Sequence, residues 1–349
     1  MTADPQILET TRRIFKDIGR SGTPNEPPNR KLWETLEEAG LTLAWCPEEH
    51  GGSGGSLADG LAIIGVTGEF CDSAPVTETL LAGWLLSRAA LVIPKGPLTF
   101  LFSKETSPIK LDQAGLLNGQ ARKVPCAIQA EHLVALVETH SGCEVALIKQ
   151  ADCSILAQLN VAGESRDDIS LAGIKPLCTA KPQSEVTPDD LKLLGALARS
   201  TQMTRAISTV LDMCINYAQQ RSAFGRQISK FQSIQHYLAT IAGEYAASLA
   251  ITAAAEESIV RTNNIRSEHM IQVASAKIRV GEAVNKVCSL AHQIHGAIGF
   301  TEEYLLHRFT HRLWSWRNDF GTEAEWAVKV GQSVAQYGPE DIWSKLTAY

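Results

Sequence analysis

After the polar stretch "TAKPQSEVTPDD" (Thr179–Asp190), apolar residues keep a helical period almost to the end of the chain, and this limits the fold more than any other feature. Ile207, Val210, Leu211, Cys214 and Ile215 repeat at i, i+3, i+4, i+7 and i+8, the spacing of one helix face. A second helix is expected from Ser233 toward Arg261, a third from about Glu268 to Ile294, and a fourth from Glu323 to Tyr337. Four long amphipathic helices in succession predict an antiparallel bundle.

The preceding residues differ in period. In the first zone Ile7, Leu8, Ile14, Phe15 and Ile18 share a helical face, as do Leu32, Trp33, Leu36 and Ala39. "PEEHGGSGGSLADG" (Pro47–Gly60) reads as a loop, and helical spacing resumes from Gly60 to Ala90. From residue 96 the chain breaks into short apolar runs, "LTFLF", "HLVALVE", "EVALIK" and "SILAQLNV", cut by Gly, Asn and Asp as antiparallel strands are. "LLNGQ" (Leu116–Gln120) is expected to hold an Asn-Gly turn. The predicted fold class is α+β: an N-terminal helical domain (1–95), a small antiparallel β-domain (96–182) and a C-terminal helical bundle (183–349).

Composition removes several function classes. A net charge of −6 from 38 acidic and 32 basic residues, with no basic cluster, argues against a nucleic-acid or polybasic membrane role. The start "MTADPQILETTRRIF" has no apolar signal core and no run of 18 apolar residues occurs, so a cytoplasmic location without a membrane partner is expected. Eight scattered cysteines without a C-x-x-C pair exclude zinc-type spacing and read as free thiols, mostly small core residues. There is no P-loop, no G-x-G-x-x-G after a strand and no Glu-x-x-His pair for a di-metal bundle. No metal site is expected.

What remains is "QQRSAFGRQISKFQ" (Gln219–Gln232), which interrupts the helical pattern at Phe224-Gly225. Arg221, Phe224, Gly225, Phe231 and Gln232 stand at fixed offsets around the break. Taken alone, Arg221 reads as a solvated residue at a helix C-terminus and Phe-Gly as a C-cap. Further on come "QIHGAIGF" (Gln293–Phe300), "TEEYLLHRFTHRLW" and "FGTEAEW" from Phe320. In this order, on an α–β–α chain, these segments resemble the acyl-CoA dehydrogenase family over roughly residues 195–335, and "LWETLEEAGLTLAWCPEEHGGSGGSLAD" extends the similarity into the first zone.

The resemblance implies that these motifs serve an FAD held mainly by a neighbouring subunit. Arg221 would clamp the pyrophosphate, since a guanidinium fork offers paired charge-assisted bonds. Phe224 and Ile228 would wall the adenosine part, with Phe231 beside them, and Gln232 would add a polar contact. Gly225 would permit a sharp exit from the helix. Gln293, Ile294, Gly296 and Ala297 would present backbone and amide groups to the same cofactor. Trp314 and Trp316 read instead as packing or interface residues.

The family's reaction needs a carboxylate base in a dry pocket. Most members carry it as the Glu before Gly-Thr, a position held here by Phe320. A minority carry it 29 residues before the Phe of Phe-Gly, which is Gly195 here, followed by Ala196. The usual flavin loop of the β-domain has no counterpart where "SKETSPIKLDQ" stands, and no Trp occurs between Trp84 and Trp314 to flank a flavin ring. Asp319 and Glu323 are offered as substitute bases only by a shift of register. Groups serving a neighbour's flavin are kept, while those serving the chain's own site are lost. That resembles the non-catalytic subunit of bacterial α2β2 acyl-CoA dehydrogenases, which often act on CoA thioesters of steroid side chains. It implies a catalytic acyl-CoA dehydrogenase subunit as partner, an acyl-CoA substrate bound mainly there, and electron-transfer flavoprotein as acceptor. A self-sufficient homomeric flavoenzyme with an unrecognised base, and a flavin-free scaffold, remain as alternatives.

Overall fold

A computed structural model describes residues 3–19, 29–102, 108–140 and 142–337. The segment proposed to stand at the flavin loop begins with Ser103–Ser107, which lie outside the described residues. The chain divides into two compact units, one of Thr2–Ile64 and Asp72–Lys192, the other of Gly65–Cys71 and Leu193–Tyr349.

The first unit opens with α1 (Pro5–Asp17) and α2 (Arg30–Glu38). Asp4 caps α1 by accepting from the Gln6 amide at 2.8 Å, and Asn29 caps α2 through the Leu32 amide at 3.2 Å. Their apolar faces bury Ile14, Phe15, Leu32, Trp33 and Leu36. Helix α3 (Leu57–Phe70) starts before Gly60, and the stretch expected to run on to Ala90 is broken at Cys71–Pro75 before α4 (Val76–Arg88). Residues 76–86 of α4 are all buried, the polar Thr77, Glu78 and Thr79 of its first turn as well as the apolar run from Leu80 to Leu86.

The strands are β1 (Leu98–Leu101), β2 (Lys110–Leu111), β3 (Leu117–Pro125), β4 (His132–Thr139), β5 (Gly142–Lys149), β6 (Ser154–Leu156), β7 (Arg166–Ile174) and β8 (Cys178–Ala180). They form one sheet in the order β6-β7-β3-β2-β4-β5-β8, with β1 on β4. Most pairs are antiparallel, Val134 facing Leu147 in the central one, but β1 and β2 run parallel to β4. The expected Asn118-Gly119 turn lies inside β3. There the register shifts at Leu117/Asn118, and a Cβ on Gly119 (φ 152°) would come within 2.9 Å of the Ile109 Cα. The glycine serves close backbone approach rather than a reversal.

The second unit is helical: most of α5 (Pro188–Gln220), then α6 (Gln232–Thr262), α7 (Met270–His295), α8 (Leu306–Trp316) and α9 (Glu323–Tyr337). Helix α7 packs against α6, α8 and α9. Its fully buried Val280, Val284, Val287 and Ala291 join Ile207, Val210 and Cys214 of α5 and Leu306, Leu313 and Trp316 of α8 in one core. The short α8 has no clear helical signature in the sequence, because buried His307, Thr310 and Arg312 interrupt its apolar spacing. All eight cysteines are free thiols, five of them buried.

Candidate functional site

The Phe224-Gly225 break is not a helix cap. Helix α5 ends at Gln220, and Ser222–Ala223 pairs antiparallel with Arg226–Gln227 as β9 and β10, a hairpin with Phe224-Gly225 at its tip. Both tip residues have positive φ, +51° and +78°, the geometry of a two-residue hairpin turn of the primed kind. For Phe this left-handed conformation is unfavourable by roughly 1–2 kcal/mol. Among the described residues burial does not compensate it, since Phe224 is 96% exposed and makes an edge contact with Phe231 at 6.3 Å. The hairpin itself is closed by the Ile228 amide donating to the Arg221 carbonyl at 2.8 Å.

Around the tip, the guanidinium of Arg221 is exposed and has no ion pair or side-chain hydrogen bond among the described residues. Phe231 is half-buried beneath Arg226, whose guanidinium stands 4.2 Å from its ring. Ile228 turns partly into the bundle core, and Gln232, the first residue of α6, is exposed. In the second segment Gln293, Gly296 and Ala297 are exposed, whereas the Ile294 side chain is in the core and leaves only its backbone to a ligand. Gly296 has φ 63° and ψ −144°, a conformation only glycine adopts readily, and nothing lies within 4 Å of where a Cβ would stand. Gly225 is equally open.

Tyr217, which belongs to neither motif, joins the two. Its carbonyl accepts from the Arg221 amide at 2.9 Å, its ring stacks on His295 at 4.4 Å, and its hydroxyl donates to the His295 carbonyl at 3.3 Å. His295 Nδ1 donates to the Ala291 carbonyl at 2.8 Å, so its Nε2 accepts from the Tyr304 hydroxyl at 3.2 Å. The four-residue spacing of Tyr217 and Arg221 is legible as one helical turn, but the contact with His295 is not. Trp316 is buried in the core and Trp314 is half-buried beside His292.

Gly195 and Phe320, the two positions where the resemblance places a base, are in contact with each other. A Cβ on Gly195 would lie 2.4 Å from the Phe320 ring. Phe320 has φ +57°, and its turn is held from below by Lys277, which is fully buried and donates from Nζ to the carbonyls of Arg317 (2.6 Å) and Gly321 (3.0 Å). Burial lowers the Lys277 pKa to about 8, against the opposing pull of Asp319 and Glu323. Asp319 is paired with Arg199 at 3.0 Å, and Glu323 with Arg317. Both candidate substitute carboxylates are therefore engaged as ion-pair partners.

The fold is acyl-CoA dehydrogenase-like. Residues 194–323 match the family "acyl-CoA dehydrogenase, C-terminal domain". The acyl-CoA dehydrogenase IpdE2 of Mycobacterium tuberculosis is 26% identical over 285 residues, covering 81% of this chain and 80% of that one. Among solved structures, the ChsE4–ChsE5 complex of Mycobacterium tuberculosis superposes with a TM-score of 0.83 at 20% identity, over 95% of this chain and 97% of that one. The Tcur3481–Tcur3483 steroid acyl-CoA dehydrogenase (G363A variant) gives 0.82 at 19% over the same shares. Residues 194–323 thus carry the C-terminal domain of the acyl-CoA dehydrogenase family, and the chain as a whole is similar to members of that family.

Members of that family are FAD flavoproteins. The surface built by the two motifs fits such a group: a guanidinium unpaired among the described residues, an exposed aromatic ring, and two glycines whose open sides admit close approach.

Proposed function

We propose that the chain is a subunit of a heteromeric FAD-dependent acyl-CoA dehydrogenase, and that it completes a flavin site belonging to a catalytic partner subunit. The observation that carries this reading is Phe224, held at positive φ on a hairpin tip and 96% exposed. Strain kept at an uncovered apolar side chain fits a residue that meets something outside its own chain. Arg221 would bind the pyrophosphate of FAD and Phe224 would stack along the adenosine. Gln232, Gln293 and the backbone at Ile294, Gly296 and Ala297 would orient the remainder.

FAD, held by these residues and the partner, would supply an acceptor for the β-hydride of an acyl-CoA thioester, whose α-proton would go to a carboxylate of the partner. This chain supplies no base: Phe320 fills the space over Gly195, and Asp319 and Glu323 are held in ion pairs. The likeness to the ChsE4–ChsE5 complex and to the Tcur3481–Tcur3483 steroid acyl-CoA dehydrogenase supports an assembly of unlike subunits, proposed as α2β2, and a CoA thioester of a steroid side chain or similar bulky acid. The likeness to an electron transferring flavoprotein of Acidaminococcus fermentans and to a caffeyl-CoA reductase–Etf complex subunit fits electron-transfer flavoprotein as acceptor.

Helix α6 supports a second chain in another way. Ala239, Ala242, Gly243, Ala246, Ala250 and Ala253 are exposed along it, and by length and composition it could cross a bilayer. Near its middle, however, Glu244 is buried and ion-paired with Arg279 and Lys286 of α7, as in a helix packed within protein. Arg221→Ala in the co-purified heteromer should lower FAD occupancy with unchanged helical circular dichroism. Unchanged flavin content would remove Arg221 from the site.

A further inference from the structure

Behind the Gln293–Phe300 segment lies a group of rings that flavin contact alone does not explain. His292, 6% exposed, stacks on Phe300 at 4.0 Å and lies nearly parallel to Trp314 at 6.0 Å. Its Nε2 is 3.0 Å from Oγ1 of Thr310. That hydroxyl can donate to the His307 carbonyl at 3.2 Å, and a buried Nδ1–H would have no acceptor, so the favoured tautomer of His292 carries the hydrogen on Nε2 and donates it to Thr310. Nδ1 is left with a bare lone pair, buried and without a hydrogen-bond partner among the described residues. It faces the turn, because a Cβ on Gly299 would lie 3.2 Å from it.

A proton added at Nδ1 would make a cationic donor with no acceptor, pressed toward the Gly299 backbone. Contact with the ring faces would offset part of that cost but leave the donor unpaired. The titratable groups acting on His292 are His295 of α7 and His307 and His311 of α8, all of which would repel an imidazolium. Helix α8 adds Arg308 and Arg312, while Glu302 and Glu303 of the intervening segment are exposed.

We infer that His292 is the positioning residue of the Gln293–Phe300 turn: as a neutral Nε2–H imidazole it supports Gly299 and clamps Phe300, and as an imidazolium it releases them, so flavin retention depends on its protonation. The link to flavin rests on the reading proposed above. Burial, then the neighbouring histidines, hold its pKa below the ordinary histidine value. The turn is therefore set at neutral pH and loosened as pH falls.

Two measurements test this. With 15N-histidine in the chain alone, NMR should show His292 as the Nε2–H tautomer, titrating below an ordinary histidine, with Gly299 and Phe300 shifting in step. An Nδ1–H tautomer, or titration at or above the ordinary value, overturns the positioning role. In the co-purified heteromer, FAD affinity should weaken about fivefold or more between pH 7.5 and 5.5, and His292→Phe should flatten that profile. If FAD binds with a flat wild-type profile, the link to the cofactor is overturned while the flavin reading stands. If the heteromer holds no FAD, the flavin reading fails, and the NMR result alone decides what His292 does to the turn.

Discussion

Replacing Phe224 with Asn separates what this residue does for its own chain from what it does for a ligand. Hairpin turns with two positive φ angles favour Asn-Gly, and Phe224 at +51° forgoes roughly 1–2 kcal/mol relative to a residue at ease there. Its ring is 96% exposed, so the loss on removing it is confined to the edge contact with Phe231, a few tenths of a kcal/mol at an open site. Phe224→Asn should therefore stabilise the isolated chain by about 0.5–1 kcal/mol, raising the melting temperature of the helical unit by about 1–4 °C. In the heteromer the same change should weaken FAD binding, because an aromatic–base stack contributes about 1–3 kcal/mol. That corresponds to roughly 5- to 150-fold in dissociation constant. Urea midpoints of the isolated chain and FAD fluorescence titration of the heteromer read the two effects. A destabilised isolated chain, or unchanged FAD affinity, would refute the reasoning.

The vacated base region gives further expectations. Gly195→Ala should destabilise the helical unit by about 1–3 kcal/mol through overpacking against Phe320, and Phe320→Ala should relieve most of that loss in the double variant; additive costs would mean the two do not meet. Lys277→Met should cost roughly 1–3 kcal/mol for each carbonyl left unpaired in the turn, measured by urea unfolding. Because its folded pKa is about 8 and its ordinary value 10.5, the unfolded chain binds more protons between them; Lys277 should make stability rise with pH across that window, a slope that Lys277→Met removes. His292, His295 and His311 are all held below the ordinary histidine value, so their contribution to stability is present above that value and should be lost on acidification, visible as a falling urea midpoint.

The long amphipathic helices and the change to strand-like runs near residue 96 were legible because hydrophobic period survives in the sequence whatever the helices later pack against. The details that differed depend on contacts between distant residues. Asn118-Gly119 has the composition of a turn, yet it lies in a strand because Ile109 needs a glycine beneath it. Phe224-Gly225 has the composition of a helix end, yet its flanks pair as a hairpin. The residues of the candidate flavin surface could be named from motif spacing. Their common support could not, since Tyr217 and His295 meet only through the packing of α5 on α7. Gly195 and Phe320 are each informative as missing carboxylates, but only the fold shows that one makes room for the other.

The most direct test of a shared flavin site is native mass and flavin count. The chain should be measured alone and after co-expression with an acyl-CoA dehydrogenase partner that has the carboxylate before Gly-Thr. The account predicts a colourless, inactive chain alone and a yellow heteromer with one FAD for each pair of unlike subunits. An isolated chain that binds FAD stoichiometrically and oxidises an acyl-CoA would contradict it.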